Sequence, residues 1–107
     1  MASGAEEPDS LVILAGRVDA STVSAVRESV HTALDHGSGP LVVDLTDVHT
    51  VDITGLAMLI GAQRKASTAG RAIVLRGVPV RVSRLLRATH LDRAFAADSA
   101  HSAGAGG

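Results

Sequence analysis

The sequence predicts a small α/β sandwich, a mostly parallel β-sheet with helices packed on it. Three strand-length apolar runs, LVILAG from Leu11, LVVDLT from Leu41 and AIVLRG from Ala72, recur at about thirty-residue spacing, each bounded by Gly, Pro or Asp. Amphipathic helical patterns fill the gaps between them, which is the rhythm of βαβ units with right-handed crossovers. Hydrophobic residues make up 46% of the chain and aromatics only 1%, so the core must be Val, Leu, Ile, Ala and Met, which suits helices lying on a sheet. With 107 residues there is room for one such core and not for two.

The elements follow in order. After DAST, residues Val23, Val26, Val30, Ala33 and Leu34 recur at intervals of three and four, with Arg27, Glu28, His31 and Asp35 on the other side, until HGSGP stops the helix. A second helix is expected over residues 54–69. Its first half is apolar almost all round (Leu56, Ala57, Met58, Leu59, Ile60), so its beginning should be buried most deeply, and Gly70 supplies the residue that ends it. A third helix should carry Pro79 in its first turn and bury Val82, Leu85, Leu86 and Thr89, with Arg81, Arg84 and Arg87 on the opposite side. The segments 1–9 and 97–107 hold little to bury and are expected to be disordered, leaving the domain at 10–96.

Charge and composition remove several function classes. Ten basic and eleven acidic residues leave a net charge of −1, which provides no general attraction to nucleic acid or to an anionic membrane. The cluster Arg76, Arg81, Arg84, Arg87 and Arg93 is locally basic but lacks the aromatics or the reading motif of a nucleic-acid binder. The absence of cysteine excludes disulfides and thiolate chemistry, and the five histidines show no metal-ligand spacing, so no metal or cofactor is expected. No Ser-His-Asp set or phosphate-binding glycine loop stands out, which argues against an enzyme. The N-terminus has neither the basic nor the apolar part of a signal peptide, and no apolar run is long enough to span a bilayer, so a cytoplasmic protein is expected.

The most informative stretch is DVHTVDITGLAMLIGAQ, residues 47–63. It places Asp52, Thr54 and Gly55 at the start of the second helix, where free backbone N–H groups and the helix dipole favour anionic groups. The Asp52 carboxylate or the Thr54 hydroxyl could cap those N–H groups, and Gly55 would allow close approach of another backbone or of a phosphate. Asp19, with Ser21 or Thr22, is expected to form the turn and N-cap of the first helix. Asp44, flanked by apolar residues in VVDL, is expected at the solvated end of its strand, near Asp52.

These residues resemble a known family. GRVDAST before the first helix, VVDLTDVHTVD, and D-x-T-G-L at the second helix start closely resemble the STAS domain of bacterial anti-anti-sigma factors (anti-sigma factor antagonists), and the likeness spans residues 11–95. The resemblance implies a STAS-like fold and a regulatory, non-catalytic role. It implies that the unphosphorylated protein binds a serine/threonine-kinase-type anti-sigma factor and so releases a sigma factor, and that the kinase switches it off by phosphorylating a Ser or Thr directly after the aspartate. It places the partner surface on Asp19, Ser21, Thr22, Asp52, Ile53, Thr54, Gly55 and Leu56, with Asp44 as structural support.

At the most informative position the chain departs from that pattern. The usual phosphate acceptor falls on Ile53, which has no hydroxyl, and Thr54 follows it. Either Thr54 accepts the phosphate, or the protein binds its partner constitutively. The same departure supports an alternative, a STAS subunit of a multiprotein signalling scaffold or of a transporter. A response receiver phosphorylated on aspartate shares the βα rhythm, but it needs an acidic pair after the first strand, where this chain has LAGR, and the single lysine is Lys65 on the second helix.

Overall fold

Short runs of Val, Ile and Leu build the strands, and turn or cap residues (DAST, HGSGP, Asp52, Gly70, Gly77 and Pro79) mark the breaks between elements. The computed structural model describes residues 11–91, 93 and 95–97. The order is β1 (Leu11–Val18), α1 (Val23–Leu34), β2 (Leu41–Val51), α2 (Ile53–Thr68), β3 (Ile73–Arg76), α3 (Val80–Ala88) and β4 (Ala96–Ala97). The strands form one sheet in the order β1-β2-β3-β4 with every pairing parallel. The expected disorder of the termini falls outside the described residues, except that Ala97, expected to begin the tail, ends β4.

One face of the sheet carries the core. Leu41, Val43 and Leu45 of β2 and Ile73 and Leu75 of β3 are buried against Val30 and Leu34 of α1, Leu56, Leu59, Ala62 and Ala66 of α2, and Val82 and Leu86 of α3. On the other face Leu11, Val42 and Val74 line up across the strands, only partly covered, and Ile13 beside them is 63% exposed. The core is aliphatic apart from Phe95, as the composition requires.

β2 runs five residues beyond the expected LVVDLT, and the reason is physical. From Ile13↔Asp44 to Ala15↔Asp47, and again from Gly16↔Val48 to Arg17↔Thr50, β2 advances one residue more than β1. These bulges break the period-two pattern that marks a strand and turn Thr46, Asp47, His49 and Thr50 outward while Val48 stays in the core. The strand therefore continues to the foot of α2.

The helices end as their sequences imply, with one exception in kind. Gly70, at φ 75°, closes α2 with Arg71 N–H donating to the Ala66 carbonyl at 2.8 Å and Gly70 N–H to that of Ser67 at 3.0 Å. α3 ends in the same geometry, with Leu91 N–H donating to Leu86 at 2.8 Å, but the left-handed residue is His90 at φ 61°. Pro79 precedes α3 as its N-cap residue instead of lying within the first turn. Thr89 is half-buried, and its hydroxyl donates to the Leu85 carbonyl at 2.8 Å.

Candidate functional site

Parallel strands deliver their carboxyl ends to one rim, and β1 and β2 end there side by side, with Val18 opposite Val51. The chain leaving β2 is tied to the end of β1, because Asp52 N–H donates to the Val18 carbonyl at 3.2 Å. The loop 19–22 and the start of α2 are thus adjacent, as the resemblance implied.

Asp52 is the N-cap of α2. Its extended backbone (φ −98°, ψ −174°) lets Oδ1 accept the Gly55 N–H at 2.9 Å, and its carbonyl accepts Leu56 N–H at 2.9 Å. The first bond satisfies one of the N–H groups that the first turn leaves free, and the second is the first regular bond of the helix. Gly55 is required by packing: a Cβ there would run into the Val18 carbonyl oxygen and meet Val18 Cγ1 at 2.8 Å. The backbone that approaches Gly55 is therefore the protein's own.

Helix geometry then sorts the residues after Asp52. Ile53, in the first position, projects outward and is 68% exposed. Thr54 follows half-buried. Leu56, expected on the partner surface, is 0% exposed, because the fourth helical position turns into the core; it and the buried Gly55 support the site from beneath and present no side chain to a partner.

The loop 19–22 is ordered by its own side chains. Asp19 Oδ1 accepts from Ser21 N–H at 3.0 Å and from Ser21 Oγ at 2.6 Å, while Arg17 Nε lies 3.3 Å from Oδ2. The Ser21 hydroxyl, ahead of the backbone N–H groups and the Arg17 charge, holds the Asp19 carboxyl below its usual range against the opposing effect of desolvation. Thr22 stands at the N-cap position of α1 but makes no side-chain cap. Its hydroxyl faces backward, donating to the Arg17 carbonyl at 2.8 Å and accepting Asp19 N–H at 3.0 Å. The expected cap of α1 is thus replaced by a clasp on the loop, since the helical backbone of Thr22 (ψ −10°) aims the hydroxyl away from the turn that follows.

Asp44 is not a neighbour in the network of Asp52. Its Oδ1 accepts Thr46 N–H at 2.8 Å and its Oδ2 accepts Arg76 Nη2 at 3.1 Å and Nε at 3.2 Å, which links β2 to β3 on the sheet face away from the helices. Hydrogen bonding from the Thr46 side chain, then from its backbone, then from Arg76, outweighs desolvation and holds the Asp44 carboxyl below its usual range. A parallel register places Asp44 opposite Ile13 and Arg76, well before the strand end that carries Asp52.

Two supporting residues were missed from sequence. Arg71, 9% exposed, donates to the carbonyls of Gly39 at 2.7 Å, Leu34 at 2.8 Å and His36 at 2.8 Å, and so holds the end of α1 and the turn into β2. Gln63 Oε1 accepts Ile73 N–H at 3.0 Å, fixing α2 to β3. No local signal marks either, since the groups they bind lie ten or more residues away in sequence. Among the described residues no group of three or more His, Asp or Glu side chains gathers as a metal site, and no helix is long and apolar enough to cross a membrane.

Comparison with known proteins bears on this arrangement. Residues 1–97 match the family described as Mlab, STAS domain. The anti-sigma-B factor antagonists of Listeria monocytogenes and Listeria innocua are each 32% identical over 80 residues, covering 75% of this chain and 70% of theirs. A crystal structure from Thermotoga maritima, of a protein assigned as an anti-sigma factor antagonist, superposes with a TM-score of 0.74 at 24% identity, covering 92% of this chain and 87% of that one. A sulfate transporter family protein from Wolinella succinogenes gives 0.67 at 19% identity, with 79% and 69% covered. The unphosphorylated anti-sigma factor antagonist SpoIIAA gives 0.60 at 17% identity, with 76% of each covered.

Proposed function

The chain belongs to the STAS domain family, and from that premise we propose that it is an anti-sigma factor antagonist that binds a kinase-type anti-sigma factor through the 19–22 loop and the start of α2. The observation that carries this reading is the pairing of the two loops at one rim, with Ile53 exposed at the first turn of a helix capped by Asp52. The identity to the Listeria antagonists supports the partner class. The protein acts by occupying its partner, with no catalytic step of its own.

Thr54 is the hydroxyl that this reading offers for a switch. A phosphate there would add about −1.5 to −2 charges and three acceptor oxygens beside Asp52. Its fit to the helix start is favourable, but within a docked surface it would face like-charge repulsion and desolvation. A penalty of about 3 kcal/mol weakens binding about a hundredfold, so no conformational change is needed.

The test is incubation with each purified kinase-type anti-sigma factor of the host and ATP, followed by intact mass, phosphosite mapping and binding of Thr54→Ala and Thr54→Glu. One phosphate on Thr54, with Ala retaining the complex and Glu losing it, supports the switch. A stable complex without phosphate makes the protein a constitutive antagonist. No complex with any of them overturns the antagonist reading.

A second reading has its own support. Ile53 occupies the exposed position where the acceptor would stand, and the transporter-family fold neighbour is compatible with a STAS subunit of a transporter or signalling scaffold. Stable co-purification with membrane transport subunits distinguishes it.

A further inference from the structure

The rim that carries Ile53 continues onto α3. Val80 opens that helix at 65% exposure, so that it and Ile53 are the exposed large apolar side chains at the starts of α3 and α2. A cleft of ≈100 Å³ lined by Thr50, Val51, Arg81 and Val82 joins the first turn of α3 to the last residues of β2, which precede Asp52 in the chain. From Arg81 the outer face of α3 carries Arg84 and Arg87, all three exposed.

Stability does not account for Arg81 and Arg84, whereas Arg87 lies in the last turn, where a cation complements the helix dipole. α3 contains no acidic residue, and none of its arginines has an ion pair or hydrogen bond among the described residues. Elsewhere among the described residues Arg17, Lys65 and Arg76 each face a carboxylate, while Arg27 and Arg64 stand as the single arginines of their helices. Like charges three residues apart destabilise a helix by about 0.2–0.5 kcal/mol per pair. Arg81 also lies in the first turn, where a cation opposes the helix dipole. An unfavourable arrangement kept on an otherwise balanced chain points to use at the surface.

Resting on the antagonist reading above, we infer that α3 is the second half of the docking surface and takes an acidic segment of the partner protein, with one aliphatic side chain seated in the Thr50–Arg81 cleft. The three arginines supply charge complementarity, and Ile53 and Val80 supply the apolar border that a nucleic acid or a lipid headgroup would not use. The net charge of −1 and the small extent of the stripe favour a protein over a polyanion.

The test measures affinity of the full chain for each purified kinase-type anti-sigma factor of the host, at low and raised salt. The variants are Arg81→Glu/Arg84→Glu, the milder Arg81→Ala/Arg84→Ala/Arg87→Ala, and Arg64→Glu on the far half of α2 as a matched charge control. Melting temperature is recorded for each. The inference expects at least about tenfold weaker binding for the reversal, a smaller loss for the alanines, none for the control, and a shallower salt dependence in both α3 variants. Equal binding by wild type and both α3 variants, with Ile53→Glu still weakened, overturns this inference and leaves the antagonist reading standing. No wild-type binding overturns both. Loss by the α3 variants of binding to phosphatidylglycerol vesicles or duplex DNA, with partner affinity unchanged, also overturns it and assigns the stripe to that polyanion.

Discussion

Two glycines of α2 should respond in opposite directions to the same substitution. Gly61 is exposed with nothing near the position of a Cβ, so Gly61→Ala gains the ordinary helix benefit, about 0.5–1 kcal/mol. Gly55 would gain a similar amount, but its Cβ falls on the Val18 carbonyl and 2.8 Å from Val18 Cγ1. Neither can move aside cheaply, because Val18 is 1% exposed and its carbonyl is held by Asp52 N–H. Overpacking of this kind costs about 1–3 kcal/mol, so Gly55→Ala should lose about 1–2 kcal/mol net. In a domain of this size that lowers Tm by about 5–15 °C, while Gly61→Ala raises it by about 2–6 °C. Urea and thermal melts of the two variants read both signs. If Gly55→Ala stabilises the protein as Gly61→Ala does, the close seating of α2 on the end of β1 is refuted, and with it the geometry assigned to Asp52 and Ile53.

Arg71→Met removes the donors to three carbonyls around the end of α1 and should cost about 2–3 kcal/mol by chemical denaturation. His90→Gly relieves the left-handed backbone at φ 61° and should stabilise by about 0.5–1 kcal/mol in the same assay. The Asp44 carboxyl is held below 3.8 in the fold, so its contribution is fully present above that value and is lost as pH falls through the lowered one. Asp44→Asn should therefore be less stable than wild type near neutrality, and the two stability curves should converge in acid. A constant gap at every pH would show that the Thr46 and Arg76 contacts do not depend on the charge of Asp44.

What could be read from the sequence follows from how local each signal is. Strand and helix identity came from periodicity over a few residues, and Asp52 as a cap from its place before an apolar run, so both were legible. β2 beyond Thr46 was not, because the bulges that carry Asp47 and His49–Thr50 outward erase the alternation that announces a strand. Arg71 looked like any cation between helix and strand, since its carbonyl partners lie 32 to 37 residues away in sequence. Asp44 was drawn toward Asp52 by proximity in sequence, whereas the extended strand carries them apart and gives Asp44 a partner on β3. Leu56 belonged to the recognised motif, and only the helical phase shows that it serves the core.

The central claim is that the start of α2 is a docking surface whose exposed apolar residue is Ile53. The direct measurement is the affinity of Ile53→Glu for the kinase-type anti-sigma factor by titration calorimetry, with the melting temperature recorded alongside. Ile53 is largely free of the core, and a carboxylate suits the first helical turn, so the fold should be unchanged. The account predicts at least about a tenfold loss of affinity at unaltered Tm. Wild-type affinity in the variant would contradict it.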